Sequence, residues 1–112
     1  MTAYLLDTCT FIWLCSDPER LSPVAKDAID AADSSLLLTV LSALEITLKW
    51  SADKITLPDP PRHWLETQVA TWAMECPPID RAAIYRAGEL PAHHRDPFDR
   101  LLVATALNLN AT

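Results

Sequence analysis

Apolar positions in this chain fall in short, bounded runs. "AYLL" at 3–6 is closed by Asp7, and "TCTFIWLC" after it is more apolar still, which predicts a buried strand turning into a short helix. Ser22-Pro23 couples a good N-cap to a proline at the first helical position, predicting a helix over 23–32 with Asp27 and Asp30 on its polar face. "SLLLTV" at 35–40 has the length and composition of an interior strand of a parallel sheet, and Ser42 then opens a helix to about Ala52. "LPDPP" at 57–61 reads as a stiff loop, because helical periodicity resumes at once in "RHWLETQVATWAM". A short extended piece near "MECPPI", a helix from Asp80 to about Leu90, a break over 91–95 and a last helix over 97–109 complete the pattern. Short strands separated by helices predict a helix-rich α/β fold with a small parallel sheet.

The length of 112 residues fits one domain, 1–112, and a chain that is 50% apolar has the material for a core. A formal charge of −6 argues against a broad basic surface that grips nucleic acid through phosphate contacts alone. If nucleic acid is the partner, something else must supply the positive charge. The three cysteines, Cys9, Cys15 and Cys76, are odd in number and scattered, so reduced thiols in a cytoplasmic protein are expected. No run reaches the roughly 18 apolar residues of a membrane span, and the N-terminus lacks the basic segment of a signal peptide.

Three acids stand in positions that need explaining. Asp7 is the only charged residue among the first sixteen and sits where a buried strand would end, the side on which open α/β sheets bind ligands. Its plainer role is a turn aspartate capping the next helix. Leu41, Leu44, Glu45 and Leu48 follow helical spacing and should share one face, so Glu45 would be a carboxylate within an apolar stripe, costly unless paired or metal-bound. The alternatives are a capping box between Ser42 and Glu45, or a pair with Lys49 four residues on. Asp96-Pro97-Phe98-Asp99 is a good helix start, with Phe98, Leu101, Leu102, Thr105 and Leu109 as its inward stripe, and a helix N-terminus also favours negative charge on Asp99.

A small α/β fold has room to gather Asp7, Glu45 and Asp99 in one cleft, where like charges call for a cation. Hard oxygen donors without cysteine or histidine select Mg²⁺ or Mn²⁺ over zinc, and phosphodiester hydrolysis is the chemistry that commonly uses such clusters. A bound cation would also supply the charge that the acidic composition lacks.

"YLLDTCTFIWL" at 4–14, "LSALEITLKWSADKITLP" at 41–58 and "LPAHHRDPFDRLLVATAL" at 90–107 together resemble, in order and spacing, the PIN-domain toxins of the VapC class. The resemblance implies a three-layer α/β/α PIN-like fold, a metal-dependent endoribonuclease acting on RNA, a cognate antitoxin and usually a homodimer. It makes Asp7, Glu45 and Asp99 the catalytic metal ligands, with Asp96 as a cap or additional ligand and Lys49 following the helix acid. It makes Thr8 the hydroxyl that orients the first acid, and His93, His94 and Arg95 a rim suited to phosphate, if they are not simply a solvated loop. Leu44 stands where the family often has tryptophan, and Asp53 where its turn usually has glycine. The family pattern continues into a further strand and a fourth acid beyond this sequence, which suggests a C-terminally shortened domain.

Two other readings stay open. One is a catalytically weak module acting mainly by binding an antitoxin or a second subunit. The other is a phosphohydrolase with Asp7 as nucleophile, for which the second aspartate of that motif would fall at Cys9.

Overall fold

The computed structural model describes residues 2–31, 34–90, 96–109 and 111. In chain order its elements are β1 (Thr2–Leu5), α1 (Thr8–Ser16), a 3-10 turn (Pro18–Arg20), α2 (Pro23–Asp30), β2 (Ser34–Leu37), α3 (Val40–Ser51), α4 (Pro61–Thr71), α5 (Arg81–Glu89) and α6 (Pro97–Asn108). β1 and β2 pair in parallel in the register Thr2↔Ser34 through Leu5↔Leu37, and the ladder extends one step further, where the Leu6 N–H donates to the Leu37 carbonyl at 3.0 Å.

That register sets the geometry of everything beyond the strand ends. Leu6 and Asp7 lead from β1 into α1, and Leu38 and Thr39 lead from β2 into α3. The two strands end level, and each passes to its helix after two residues, the second of which is the N-cap. Asp7 accepts from the Thr10 N–H, and Thr39 accepts from the Ser42 N–H. The first turns of α1 and α3 therefore lie side by side at the carboxyl edge of the sheet.

Beneath that edge, Leu6, Phe11, Leu14, Leu36, Leu38, Ile46, Trp64, Leu65 and Met74 form the main core. Phe11 and Trp64 meet edge to face, with ring centroids 5.7 Å apart and planes at 74°, an arrangement favoured by the ring quadrupoles. α5 and α6 pack on each other around Ala83, Leu102, Ala104 and Thr105. Arg100 ties the start of α6 to the end of α5, donating to the carbonyls of Ala87 and Leu90 at 3.1 Å each.

Four expectations change. α3 begins at Val40 under a Thr39 cap, so Ser42 lies inside the helix and the capping box with Glu45 does not form. The strand expected near "MECPPI" is a single bridge between Leu37 and Glu75, since Pro77 and Pro78 have no N–H with which to extend a ladder. The apolar stripe on α3 is not buried as a unit: Leu41 and Ile46 are, whereas Leu44 and Leu48 are 47% and 53% exposed. On α6, Leu102 and Thr105 turn inward as expected, but Leu109 is 42% exposed.

Helix ends are closed without glycine. After α3, the Lys54 N–H bonds the Lys49 carbonyl and the Asp53 N–H bonds that of Trp50; after α4, Met74 bonds Val69 and Ala73 bonds Ala70. Both are Schellman motifs, which need a left-handed residue at the turn, and Asp53 and Ala73 supply it with φ of 56° and 49°. This explains in backbone terms why glycine suits the position of Asp53. Among the described residues no helix is long and apolar enough to cross a membrane.

Candidate active site

Thr8 and Ser42 are almost wholly enclosed, at 3% and 1% exposure, where the two helix starts meet. Thr8 Oγ1 lies 2.9 Å from Glu45 Oε1 and 3.1 Å from Ser42 Oγ. A hydroxyl has one proton, and an ionised carboxylate can only accept. Thr8 therefore donates to Glu45, and the proton in the Ser42–Thr8 contact comes from Ser42. The result is a directed chain, Ser42 to Thr8 to Glu45, that joins the first turn of α1 to the middle of α3.

Glu45 is half-buried, and each of its oxygens has a different partner. Oε1 takes the Thr8 hydroxyl, while Oε2 faces the Lys49 ammonium at 3.1 Å one helical turn on. The carboxylate is thus held on one oxygen by a neutral donor and on the other by the Lys49 ammonium. Asp7, next in sequence to Thr8, is exposed at the carboxyl end of β1. Its Oδ1 accepts from the Thr10 N–H at 2.7 Å; among the described residues no hydrogen bond engages Oδ2.

Asp96 caps α6, its Oδ1 accepting from the Phe98 N–H at 2.9 Å, and Asp99 lies exposed in the first turn of that helix. The structure joins Asp7 and Glu45 through Thr8 but does not bring Asp99 into a group of three with them: among the described residues no three carboxylate, imidazole or thiol groups converge on a cation position. His93, His94 and Arg95 lie outside the described residues.

In chemical type the donors fit a hard divalent cation: Asp7 and Glu45 offer only carboxylate oxygens, and Glu45 Oε2 already faces a positive charge, the Lys49 ammonium. A cavity of about 510 Å³ between α3 and α4 is lined by Val40, Ala43, Thr47 and Trp50 on the face of α3 opposite Glu45, so it is not part of this site.

Sequence reasoning missed two residues. Ser42 has the signature of a helix cap, a serine before an apolar helical run; the cap is Thr39, three residues earlier. Arg100 has no local signal for its role, since the Ala87 and Leu90 carbonyls that it bonds lie 13 and 10 residues earlier in the chain.

Residues 4–112 match the PIN domain family, and the chain belongs to it. Within that family it stands with the VapC class: it is 33% identical over 110 residues to Ribonuclease VapC22 of Mycobacterium tuberculosis, an alignment covering 96% of this chain and 81% of that protein. The helix-rich α/β fold with its small parallel sheet agrees with this membership.

Proposed function

We propose that this chain is a metal-dependent endoribonuclease, the toxin of a type II toxin–antitoxin pair, which hydrolyses RNA phosphodiester bonds. The observation that carries the reading is the anchoring of Glu45 by Thr8, the residue after Asp7, in a chain of the VapC class. Asp7 and Glu45, with Asp99 contributed from α6, are the ligands for Mg²⁺ or Mn²⁺. Asp96 holds the start of α6 and serves as a cap or an outer ligand. A bound divalent cation supplies positive charge to the scissile phosphate and makes water more acidic.

The chain's own groups have separate tasks in this reading. Thr8 fixes the inner oxygen of Glu45. Lys49 neutralises Glu45 and, once displaced, presents its ammonium to an RNA phosphate. His93, His94 and Arg95 form a phosphate-contacting rim. The chain acts in the cytoplasm, as a homodimer held in check by its antitoxin. With a net charge of −6, electrostatic attraction of RNA depends on the cation and these few basic groups.

Incubation of purified protein with RNA, in Mg²⁺ or Mn²⁺ and in chelator, tests this. Cleavage that needs metal and disappears in Asp7→Asn supports the assignment, and undiminished cleavage by that variant removes it.

A second reading, a module that acts by binding its antitoxin or a second copy, is favoured by the absence of a three-acid cluster among the described residues. Antitoxin binding without Mn²⁺ binding would select it.

A further inference from the structure

We infer that Ser42 is a positioning residue for Glu45, acting through Thr8. The inference rests on the reading of Glu45 as a metal ligand and adds to it a residue that contacts neither metal nor substrate. Three threonines within helices, Thr47, Thr71 and Thr105, turn their hydroxyls back onto a carbonyl four residues earlier in the same helix. Ser42, in the first turn of α3, instead bonds across to another element, the Thr8 hydroxyl of α1. Its backbone N–H is already engaged by the Thr39 cap, so the side chain is not needed to start α3.

The consequence is directional. Thr8 without Ser42 has a rotor with several acceptable settings and a buried lone pair lacking a donor. With Ser42 donating to Thr8 Oγ1, the threonine proton has one good acceptor left, Glu45 Oε1. Both hydroxyls are enclosed, so water is poorly placed to substitute. Groups of this kind, one or two bonds behind a ligand, commonly change metal affinity by about ten- to a hundredfold when removed. Ser42 is two hydrogen bonds from the cation position and should lie at the lower end.

Mn²⁺ titration of the full chain, followed by electron paramagnetic resonance, tests the inference on wild type, Ser42→Ala, Thr8→Val, their double variant and Glu45→Gln. Thermal unfolding is measured alongside, and Thr8→Ala replaces Thr8→Val should the valine variant not fold. We expect Ser42→Ala to weaken Mn²⁺ binding about tenfold while the protein stays folded, and to have no further effect once Thr8 has lost its hydroxyl, because coupled residues are not additive. If Glu45→Gln weakens binding but Ser42→Ala does not, or if Ser42→Ala acts equally in the Thr8 variant, Ser42 is only a packing residue and the metal reading stands without it. If Glu45→Gln leaves Mn²⁺ binding unchanged, Glu45 is not a ligand, and both the metal reading and this inference are overturned.

Discussion

Thr8, the first residue of α1, hydrogen-bonds Glu45, in the middle of α3, at 2.9 Å across 37 positions of sequence. Replacing Thr8 by valine keeps the shape and removes the hydroxyl. It leaves the Ser42 proton without its acceptor in an enclosed site, and Glu45 loses its inner donor. Unsatisfied buried polar groups cost about 1–3 kcal/mol. Urea denaturation of Thr8→Val should show a loss in that range, and Thr8→Ser, which retains the hydroxyl, should recover most of it. A valine variant as stable as wild type would mean that the bond carries nothing.

Lys49 acts in the opposite sense. Its pair with Glu45 is partly solvated, with the lysine and glutamate side chains 40% and 20% exposed, and such pairs one turn apart on a helix contribute only about 0.3–0.5 kcal/mol. Lys49→Ala should therefore be nearly neutral in urea. Removing an ammonium from beside the cation position relieves about 1 kcal/mol of repulsion, or about fivefold in affinity. Tighter Mn²⁺ binding by Lys49→Ala, measured by calorimetry, is the expected result; weaker binding would make Lys49 a support of the site and not a competitor for it.

The glycine-free helix ends predict a stabilising substitution. Ala73 holds a left-handed conformation, φ 49°, at an exposed site, and an L-residue there costs about 1–2 kcal/mol relative to glycine. Glycine returns part of that as extra freedom in the unfolded chain. Ala73→Gly should raise the unfolding free energy by up to about 1 kcal/mol, checked by chemical denaturation. Asp53→Gly should gain less, because aspartate tolerates this region better than alanine.

Cys15 carries a pH signature. Burial pushes its thiol up from the usual 9.0 to about 11, with a hydrogen bond from Trp72 offsetting part of the effect. Well below pH 9 the thiol is protonated in both folded and unfolded chains and has no influence on stability. Between pH 9 and about 11 the unfolded chain releases a proton that the folded chain keeps, so stability falls as pH rises. Denaturation at pH 8, 9 and 10 should show this decline, and Cys15→Ala should make it shallower. An unchanged slope in that variant would assign the decline to other groups.

Much of the fold was legible because its signals are local. Ser22-Pro23, Asp80 and Asp96-Pro97 each mark a helix start at the position observed, and the apolar run closed by Asp7 marks the end of β1. The start of α3 was displaced because Thr39 and Ser42 both suit an N-cap, and "SLLLTV" stays apolar through Val40, so strand and helix run together in the pattern. The pairing of Leu37 with Glu75 was over-read as a strand because periodicity does not register the two prolines that end it. Asp7 and Glu45 stood out as isolated acids in apolar sequence. What joins them did not, since the contact of Ser42 and Thr8 follows from β1 and β2 ending level, a property of register that no single segment displays.

Cleavage of a single-stranded RNA in Mn²⁺ by wild type and Glu45→Gln, side by side, tests most directly the claim that Glu45, held by Thr8, is the centre of a metal-dependent ribonuclease. The substitution keeps the size of the side chain and its capacity to accept from Thr8, and replaces the charged oxygen that faces Lys49 by an uncharged amide nitrogen. Wild type should cleave, and the variant should remain folded and lose at least about a hundredfold in rate, the scale expected when a group acting directly on the metal is removed. Equal cleavage by the two proteins would contradict the account.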